Sequence, residues 1–261
     1  MTDIQQQALD YHCPATAFRD RIILVTGAGD GIGRAVSLAL ARHGATVILL
    51  GRTQSKLESV YDEITAAGGP QPALAPVNLE VARPADFEEL AGMLTDSFGR
   101  LDGLLHNASV LGEITPLDQY SYGSWDTVMQ VNVNAAFYLT RAMLPLLKDS
   151  ADASVLFTSS SVGRRGRAFW GAYAVSKFAT EGMMQVLADE LENVAPIRVN
   201  CLNPGATATR MRALAYPAED ASTLKPPQAI TAPYLFLLGP DGRGVNGQSL
   251  DCQPKTGSTA R

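Results

Sequence analysis

Cysteine and histidine are both scarce in this chain. Its cysteines are Cys13, Cys201 and Cys252, and none stands at C-x-x-C spacing. An odd, scattered set argues against a disulfide framework or a zinc cluster and fits a reducing compartment. The three histidines, His12, His43 and His106, cannot form H-E-x-x-H, which excludes the zinc-protease pattern. No metal site is expected. Long apolar runs are missing too: none reaches the ~18 residues of a membrane span. The first twenty residues are mixed polar and lack a signal-peptide pattern. Charge is sparse and mildly acidic, with 18% charged residues and a net −5. That argues against a general nucleic-acid or membrane-surface binder. The expectation is a cytoplasmic protein that handles a small molecule, without nucleic acid or membrane.

What is present is apolar sequence in short runs. Hydrophobic residues make up 46% of the 261, a length suited to one domain or at most two small ones. Strands are predicted at Arg21–Thr26, Thr46–Leu50, Leu74–Leu79, Leu101–Asn107, Ser154–Ser159, Ile197–Leu202 and Gln248–Cys252. Several are continuously apolar, as in Ile22-Ile23-Leu24-Val25, which is how strands buried on both faces read. Helical patterns alternate with them. One follows Pro84 through Phe87, Leu90, Ala91, Leu94 and Phe98. Another carries Trp125, Val128, Met129, Asn132, Ala136, Leu139 and Met143 on one side, and a third spans about 172–191. The alternation predicts an α/β fold, a doubly wound parallel sheet of about seven strands. Residues 1–18 precede the first strand and read as an arm or a loose tail.

The first strand runs into Thr26-Gly27-Ala28-Gly29-Asp30-Gly31-Ile32-Gly33. Ile32 breaks the strict G-x-G-x-x-G pattern, but Gly27, Gly31 and Gly33 fit G-x-x-x-G-x-G. Glycines let the backbone turn tightly and approach a pyrophosphate, and the following helix offers N–H donors and a partial positive charge. An ordinary glycine-rich turn is the plain alternative. The second strand ends in Gly51-Arg52-Thr53. Dinucleotide folds that bind NAD place an acid near here. A carboxylate would repel a 2′-phosphate, whereas a guanidinium holds it. Arg52 therefore favours NADP(H) over NAD(H), unless it is merely a solvated loop residue.

Tyr173 and Lys177 stand at i and i+4 on a predicted helix and so share a face. A phenol, with a pKa of ~10, is a poor base until something stabilises its phenolate, as an ammonium does. Upstream, a strand ends in Thr158-Ser159-Ser160-Ser161, at the sheet edge where α/β enzymes place ligand groups. A hydroxyl there can polarise a carbonyl, but spacing does not choose among the three serines. Asn132 falls on an apolar helix stripe, and its amide must find a partner. A backbone carbonyl, a water linked to Lys177 and a local packing bond all qualify.

Together these residues resemble the short-form branch of the short-chain dehydrogenase/reductase family. The resemblance rests on Thr26-Gly27-x-x-x-Gly31-Ile32-Gly33, Asn107-Ala108, Asn132, Ser160, Tyr173-x-x-x-Lys177 and Asn203-Pro204-Gly205. The stretch Gly163–Tyr173 and the tail near Gln253-Pro254 are similar to one bacterial group within it. The family implies a single-domain Rossmann fold: an arm at 1–20, an NADP-binding catalytic domain at 21–253 and a tail at 254–261. It implies a hydride transfer between nicotinamide C4 and a carbonyl or secondary alcohol. It selects Ser160, thirteen residues before the tyrosine, and makes Tyr173 the acid/base. Lys177 would lower the tyrosine's pKa and bind the nicotinamide ribose, and Asn132 would hold a relay water. The cofactor contacts would be Gly27, Asp30, Gly31, Ile32, Gly33, Arg52, Asn78, Leu79, Asn107, Ala108, Tyr173, Lys177, Pro204, Gly205 and Thr209. Homodimers or homotetramers are expected from the family, through the helices around 125–147 and 172–191. His106-Asn107-Ala108-Ser109 departs from the family's N-N-A-G, so the local backbone must accept a side chain at Ser109 where the family has glycine. The arginines Arg164, Arg165 and Arg167 read either as an anion receptor or as a solvated loop. A 3-oxoacyl thioester reductase and a non-catalytic NADP(H) sensor are the competing functions.

Overall fold

A computed structural model describes residues 2–254. Its centre is a sheet of seven parallel strands in the order β3-β2-β1-β4-β5-β6-β7. These are β1 (Ile22–Thr26), β2 (Thr46–Gly51), β3 (Ala73–Pro76), β4 (Gly103–His106), β5 (Ala153–Thr158), β6 (Ile197–Asn203) and β7 (Ser249–Asp251). The predicted strands are all present, with ends shifted by at most three residues. The largest shift is in β3, which stops at Pro76 and leaves Asn78 and Leu79 in the following loop.

Side-chain alternation explains the layering. Ile23, Val25, Val47, Leu49, Leu105, Leu156 and Leu202 enter one core. Leu24, Ile48, Leu50, Leu104, Val155, Phe157 and Val199 enter the other. Because successive strand residues face opposite sides, a run such as Ile23-Leu24-Val25 must be apolar throughout to feed both cores. On the first face lie α2 (Gly31–Arg42), α3 (Gln54–Ala66) and α9 (Thr231–Leu238). On the second lie α4 (Pro84–Phe98), α6 (Ala135–Lys148) and α7 (Gly171–Leu191). The predicted helix through Trp125–Met143 is α5 (Tyr122–Met129) and α6 joined by one π-helical turn, Gln130–Asn134.

The strand order reverses direction between β1 and β4. Loops leaving the carboxyl ends of these two strands diverge and open a crevice, the usual ligand position in such sheets. At the opposite end, the Asp152 carboxylate holds Arg21 at 3.0 Å, Arg243 at 3.1 Å and Arg198 at 3.4 Å. Arg198 also bonds the backbone, donating to the carbonyls of Leu237, Gly239 and Gly242.

The segment before β1, expected as an arm or a loose tail, is an ordered arm over its described residues 2–20. Residues Asp3–Leu9 form α1, capped by the Thr2 hydroxyl, and Ala8 and Phe18 are fully buried. Gln5 Nε2 donates to Asp251 O at 2.7 Å, and Gln5 Oε1 accepts from Asp251 N at 2.8 Å. One side-chain amide thus satisfies both backbone groups of Asp251 on the outer edge of β7, where an open strand would invite pairing with another chain. The tail at 254–261 lies, beyond Pro254, outside the described residues.

Candidate active site

The crevice is one continuous cleft of about 1910 Å³. Its first wall is the turn from β1 into α2. Gly27 (φ +67°) and Gly31 (φ +52°) adopt left-handed backbone that side chains disfavour. Gly33 does not face the cleft; a Cβ there would sit 2.2 Å from Gly27 O and 2.6 Å from Asn107 Nδ2. Its role is close packing beneath the turn. The Asp30 side chain caps α2 by accepting from Gly31 N at 2.8 Å. Lys56 Nζ, on α3 and 2.6 Å from the other oxygen, holds the Asp30 carboxyl below its usual range and balances its charge.

Thr26 ties this turn to the next. It is buried, and its Oγ1 accepts from Asn107 N at 2.9 Å and Ala108 N at 3.0 Å. The same hydroxyl donates to Leu105 O. Asn107 Nδ2 returns a bond to Thr26 O. This fixes the strand-end segment Asn107–Ala108 along the cleft. Sequence reasoning assigned no task to Thr26; its polarity at the end of an apolar strand was the available signal.

Arg52, Asn78 and Leu79 line the far end of the cleft. Arg52 and Glu80 approach to 3.7 Å, both largely exposed, so the pair is worth little and leaves the guanidinium available. Pro204, Gly205 and Thr209 line the near end. Gln253 Nε2 ties this segment down through the carbonyls of Pro204 and Ala206, both at 2.9 Å. Thr209 caps α8 (Arg210–Ala215), and its methyl lies 3.5 Å from where a Gly31 Cβ would be.

Ser160, Tyr173 and Lys177 meet on the central wall. The three serines separate clearly. Ser159 is buried and donates to the Glu181 carboxylate at 2.5 Å. Ser161 is exposed and begins a short 3₁₀ turn. Ser160 lies beside the Tyr173 phenol. Burial pushes that phenol up to about 12, while the Ser160 and Ser109 hydroxyls pull it down. The lowering expected from Lys177 is absent from that balance, which burial and the two hydroxyls set between them. Lys177 Nζ sits 5.5 Å from the phenol ring centroid and donates to Thr158 O at 2.8 Å. Burial drops its ammonium to about 8, with Glu181, one helical turn on, acting in the opposite sense. Ser109 Oγ is sealed from solvent without a hydrogen-bond partner of ordinary length. His106 is stacked on Phe157 and bonded to Thr140, and burial lowers it to about 3, so it stays neutral.

Asn132 lies behind this wall rather than in the cleft. Its Oδ1 accepts from Val110 N at 2.9 Å, and its Nδ2 donates to Val110 O and Ser176 Oγ, both at 3.0 Å. Both amide hydrogens are therefore spent, and the side chain braces the 107–112 loop. It belongs to the π-helical turn, a feature often found at functional sites. A second, small cavity of about 10 Å³ is lined by Asn132, Thr158 and Lys177, room for about one water.

Arg164 is exposed on the cleft wall, but it is not a free solvated arginine. It pairs with Asp251 at 3.0 Å and Glu181 at 3.5 Å, fastening the turn after β5 to β7.

These features define the class. The chain matches the short-chain dehydrogenase family over residues 21–220, and it belongs to that family as an oxidoreductase with a Rossmann fold. The oxidoreductase YciK of Escherichia coli K12 is 52% identical over 246 residues, 94% of this chain and 97% of that one. This is the bacterial group that the 163–173 stretch resembles. A short-chain dehydrogenase of Shigella flexneri 2a, solved with NADP, is 52% identical with a TM-score of 0.90, covering 92% of this chain and all of that one. One from E. coli CFT073, solved with NADPH, is 53% identical with the same TM-score and covers the same shares.

Proposed function

We propose that this protein is an NADP(H)-dependent oxidoreductase interconverting a carbonyl compound and its secondary alcohol, with Tyr173 as acid/base. The observation that carries this reading is the meeting of Ser160, Tyr173 and Lys177 on one wall of the cleft that the glycine turn opens. The cradle suits a dinucleotide: left-handed glycines, a helix N-terminus with its capping carboxylate neutralised, and a groove reaching past Arg52. Gly27, Asp30, Gly31 and Ile32 would hold the pyrophosphate, with Gly33 packed beneath. Arg52 would hold the 2′-phosphate, and Asn78 and Leu79 the adenine. Asn107, Ala108 and Lys177 would hold the ribose, and Pro204, Gly205 and Thr209 the carboxamide. NADP and NADPH in the two solved relatives support this choice of cofactor.

When bound, NADPH supplies the hydride. In the reducing direction Ser160 donates a hydrogen bond to the carbonyl oxygen, and the Tyr173 phenol, protonated at neutral pH, gives that oxygen its proton. Lys177 carries the charge that steadies the phenolate left behind. The small cavity between Lys177 and Asn132 holds one water, through which the proton is replaced. We also assign the protein to the cytoplasm. We further assign it to homodimers or homotetramers, in keeping with the exposed Phe137 of α6 and Phe178 and Val186 of α7.

The test is Tyr173→Phe, assayed on a panel of ketones and aldehydes with NADPH. Turnover should fall by about 10²–10⁴, with NADPH affinity kept. Full turnover in the variant would remove Tyr173 from the chemistry.

A further inference from the structure

The mouth of the cleft, beyond Tyr173, is lined by five arginines: Arg164, Arg165, Arg167, Arg210 and Arg212. Three have carboxylate partners. Arg164 pairs with Asp251 and Glu181. Arg212 grips Glu219 through Nε at 2.6 Å and Nη2 at 2.5 Å. Arg210 lies 3.9 Å from Asp30. Arg165 and Arg167 have no carboxylate within 4 Å among the described residues.

Of these two, Arg167 is held in place. Its Nη1 donates to the Tyr216 hydroxyl at 2.5 Å. Its guanidinium carbon lies 5.9 Å from the Trp170 ring centroid and 5.6 Å from that of Tyr216. The turn that presents it has Phe169 in left-handed backbone (φ +72°), an unfavourable conformation for a bulky side chain that tends to persist at functional sites. Trp170 in turn lies 5.7 Å from the Tyr173 ring. The two steps, 5.9 Å and 5.7 Å, place the guanidinium within about 12 Å of the phenol ring, across an aromatic floor. A guanidinium with one of five donors used, on a neutral partner, is built to take an oxyanion.

We propose that Arg167 anchors an anionic group of the substrate. The carbonyl compound then carries a carboxylate or phosphate, with an apolar or aromatic spacer over Trp170 and Tyr216 linking it to the carbonyl at Tyr173. This rests on the oxidoreductase reading above and adds the substrate's chemical class.

The test reads binding, so it needs no turnover. The NADPH-loaded enzyme is titrated calorimetrically with 4-phenylbutyrate, with its methyl ester and with 3-phenylpropyl phosphate. At least one anion should bind tenfold or more tightly than the ester, and the better anion tells carboxylate from phosphate. Arg167→Met should bring that ratio below about twofold, and its NADPH affinity reports that it is folded. Should that variant fail to bind NADPH, Arg167→Gln makes the same charge deletion with a polar stem. Tyr173→Phe should retain the preference, because it leaves the anchor intact. Equal binding of ester and both anions overturns the proposal, as does a tenfold preference that survives removal of Arg167. Failure of the Tyr173 acid/base reading shows separately, as unimpaired turnover in Tyr173→Phe, and failure of the carbonyl-reductase reading as no turnover by the native enzyme on the ketone and aldehyde panel.

Discussion

Replacing Lys177 with methionine isolates what a buried ammonium does for a buried phenol. Nζ lies 5.5 Å from the Tyr173 ring centroid. At an effective dielectric constant of ~20, a unit charge at that distance favours the phenolate by about 3 kcal/mol, equivalent to ~2 pH units. Burial holds the phenol at about 12 and the ammonium at about 8. With the ammonium charged, the phenolate therefore forms as if its pKa were ~10; with methionine it forms at ~12. Near pH ~7 the native protein holds the phenolate–ammonium pair at a fraction of ~10⁻³, and the variant holds phenolate at ~10⁻⁵. Above pH ~8 the native fraction levels off near ~10⁻², because the lysine then loses its proton in competition with the phenol. The variant's fraction still climbs about tenfold per unit. Alcohol oxidation, which needs the phenolate, should thus be slower in Lys177→Met by ~100-fold near pH ~7 and by only ~10-fold near pH ~9. The assay is kcat/KM for oxidation with NADP⁺ across that range. A deficit that stays constant with pH would refute the electrostatic role and leave Lys177 as a positioning residue.

The same substitution should strengthen the fold. The Lys177 ammonium falls from 10.5 to about 8 on burial, so the unfolded chain binds more protons than the native one between those values. Native stability therefore rises with pH through that window. Near neutrality the buried charge costs about 3 kcal/mol. Methionine removes that cost and forfeits the bond to Thr158 O, worth about 1 kcal/mol. Urea denaturation near pH ~7 should show the variant more stable by about 2 kcal/mol, with the gain disappearing by pH ~10. A loss of stability would contradict the desolvation account. An enzyme weakened in chemistry and strengthened in fold by one change is the usual signature of strain kept for function.

Three further outcomes follow from the geometry. Arg52→Ala should weaken NADPH binding about 10- to 100-fold, as loss of hydrogen bonds to a charged group does, and leave NADH binding unchanged in fluorescence titrations. Equal losses for both would contradict a 2′-phosphate contact. Gly33→Ala puts a Cβ 2.2 Å from Gly27 O; overpacking of about 1–3 kcal/mol should lower Tm by several degrees, and an unchanged Tm would show that the turn can yield. Burial raises the Asp152 carboxyl, but Arg198 and Arg21 outweigh it and hold the group below 3.8. The stability it contributes is therefore present above that value and lost as pH falls through the lowered one. Asp152→Asn should cost about 3 kcal/mol at neutral pH, because Arg198 is left buried without a countercharge; denaturation that matches the native protein's would refute the claim.

How far the molecule was legible in its sequence depends on how local each cause is. The strands could be read because each feeds two cores, so burial is written into consecutive residues such as Ile22-Ile23-Leu24-Val25. The glycine turn, and Tyr173 with Lys177, are likewise short-range patterns. The roles that escaped are those set by partners distant in sequence. Arg164 could not be told from a solvated arginine because Asp251 lies 87 residues away. Gln5 gave no hint of closing a sheet edge 246 residues on. Asn132 was recognised as a buried amide, but a bond to a backbone carbonyl or relay water and a local packing bond suited it equally until the 107–112 loop came within reach. The three serines show where the boundary lies. Which hydroxyl faces the cleft is decided by which is used elsewhere, and Ser159 is used by Glu181. Glu181 stands four residues beyond Lys177, on the same helical face, and is buried. A carboxylate at that spacing needs a partner inside the protein, so, while Ser160 and Ser161 are separated only by the fold, a local signal against Ser159 did exist. It required asking what the acid would bind before asking what the serine would do.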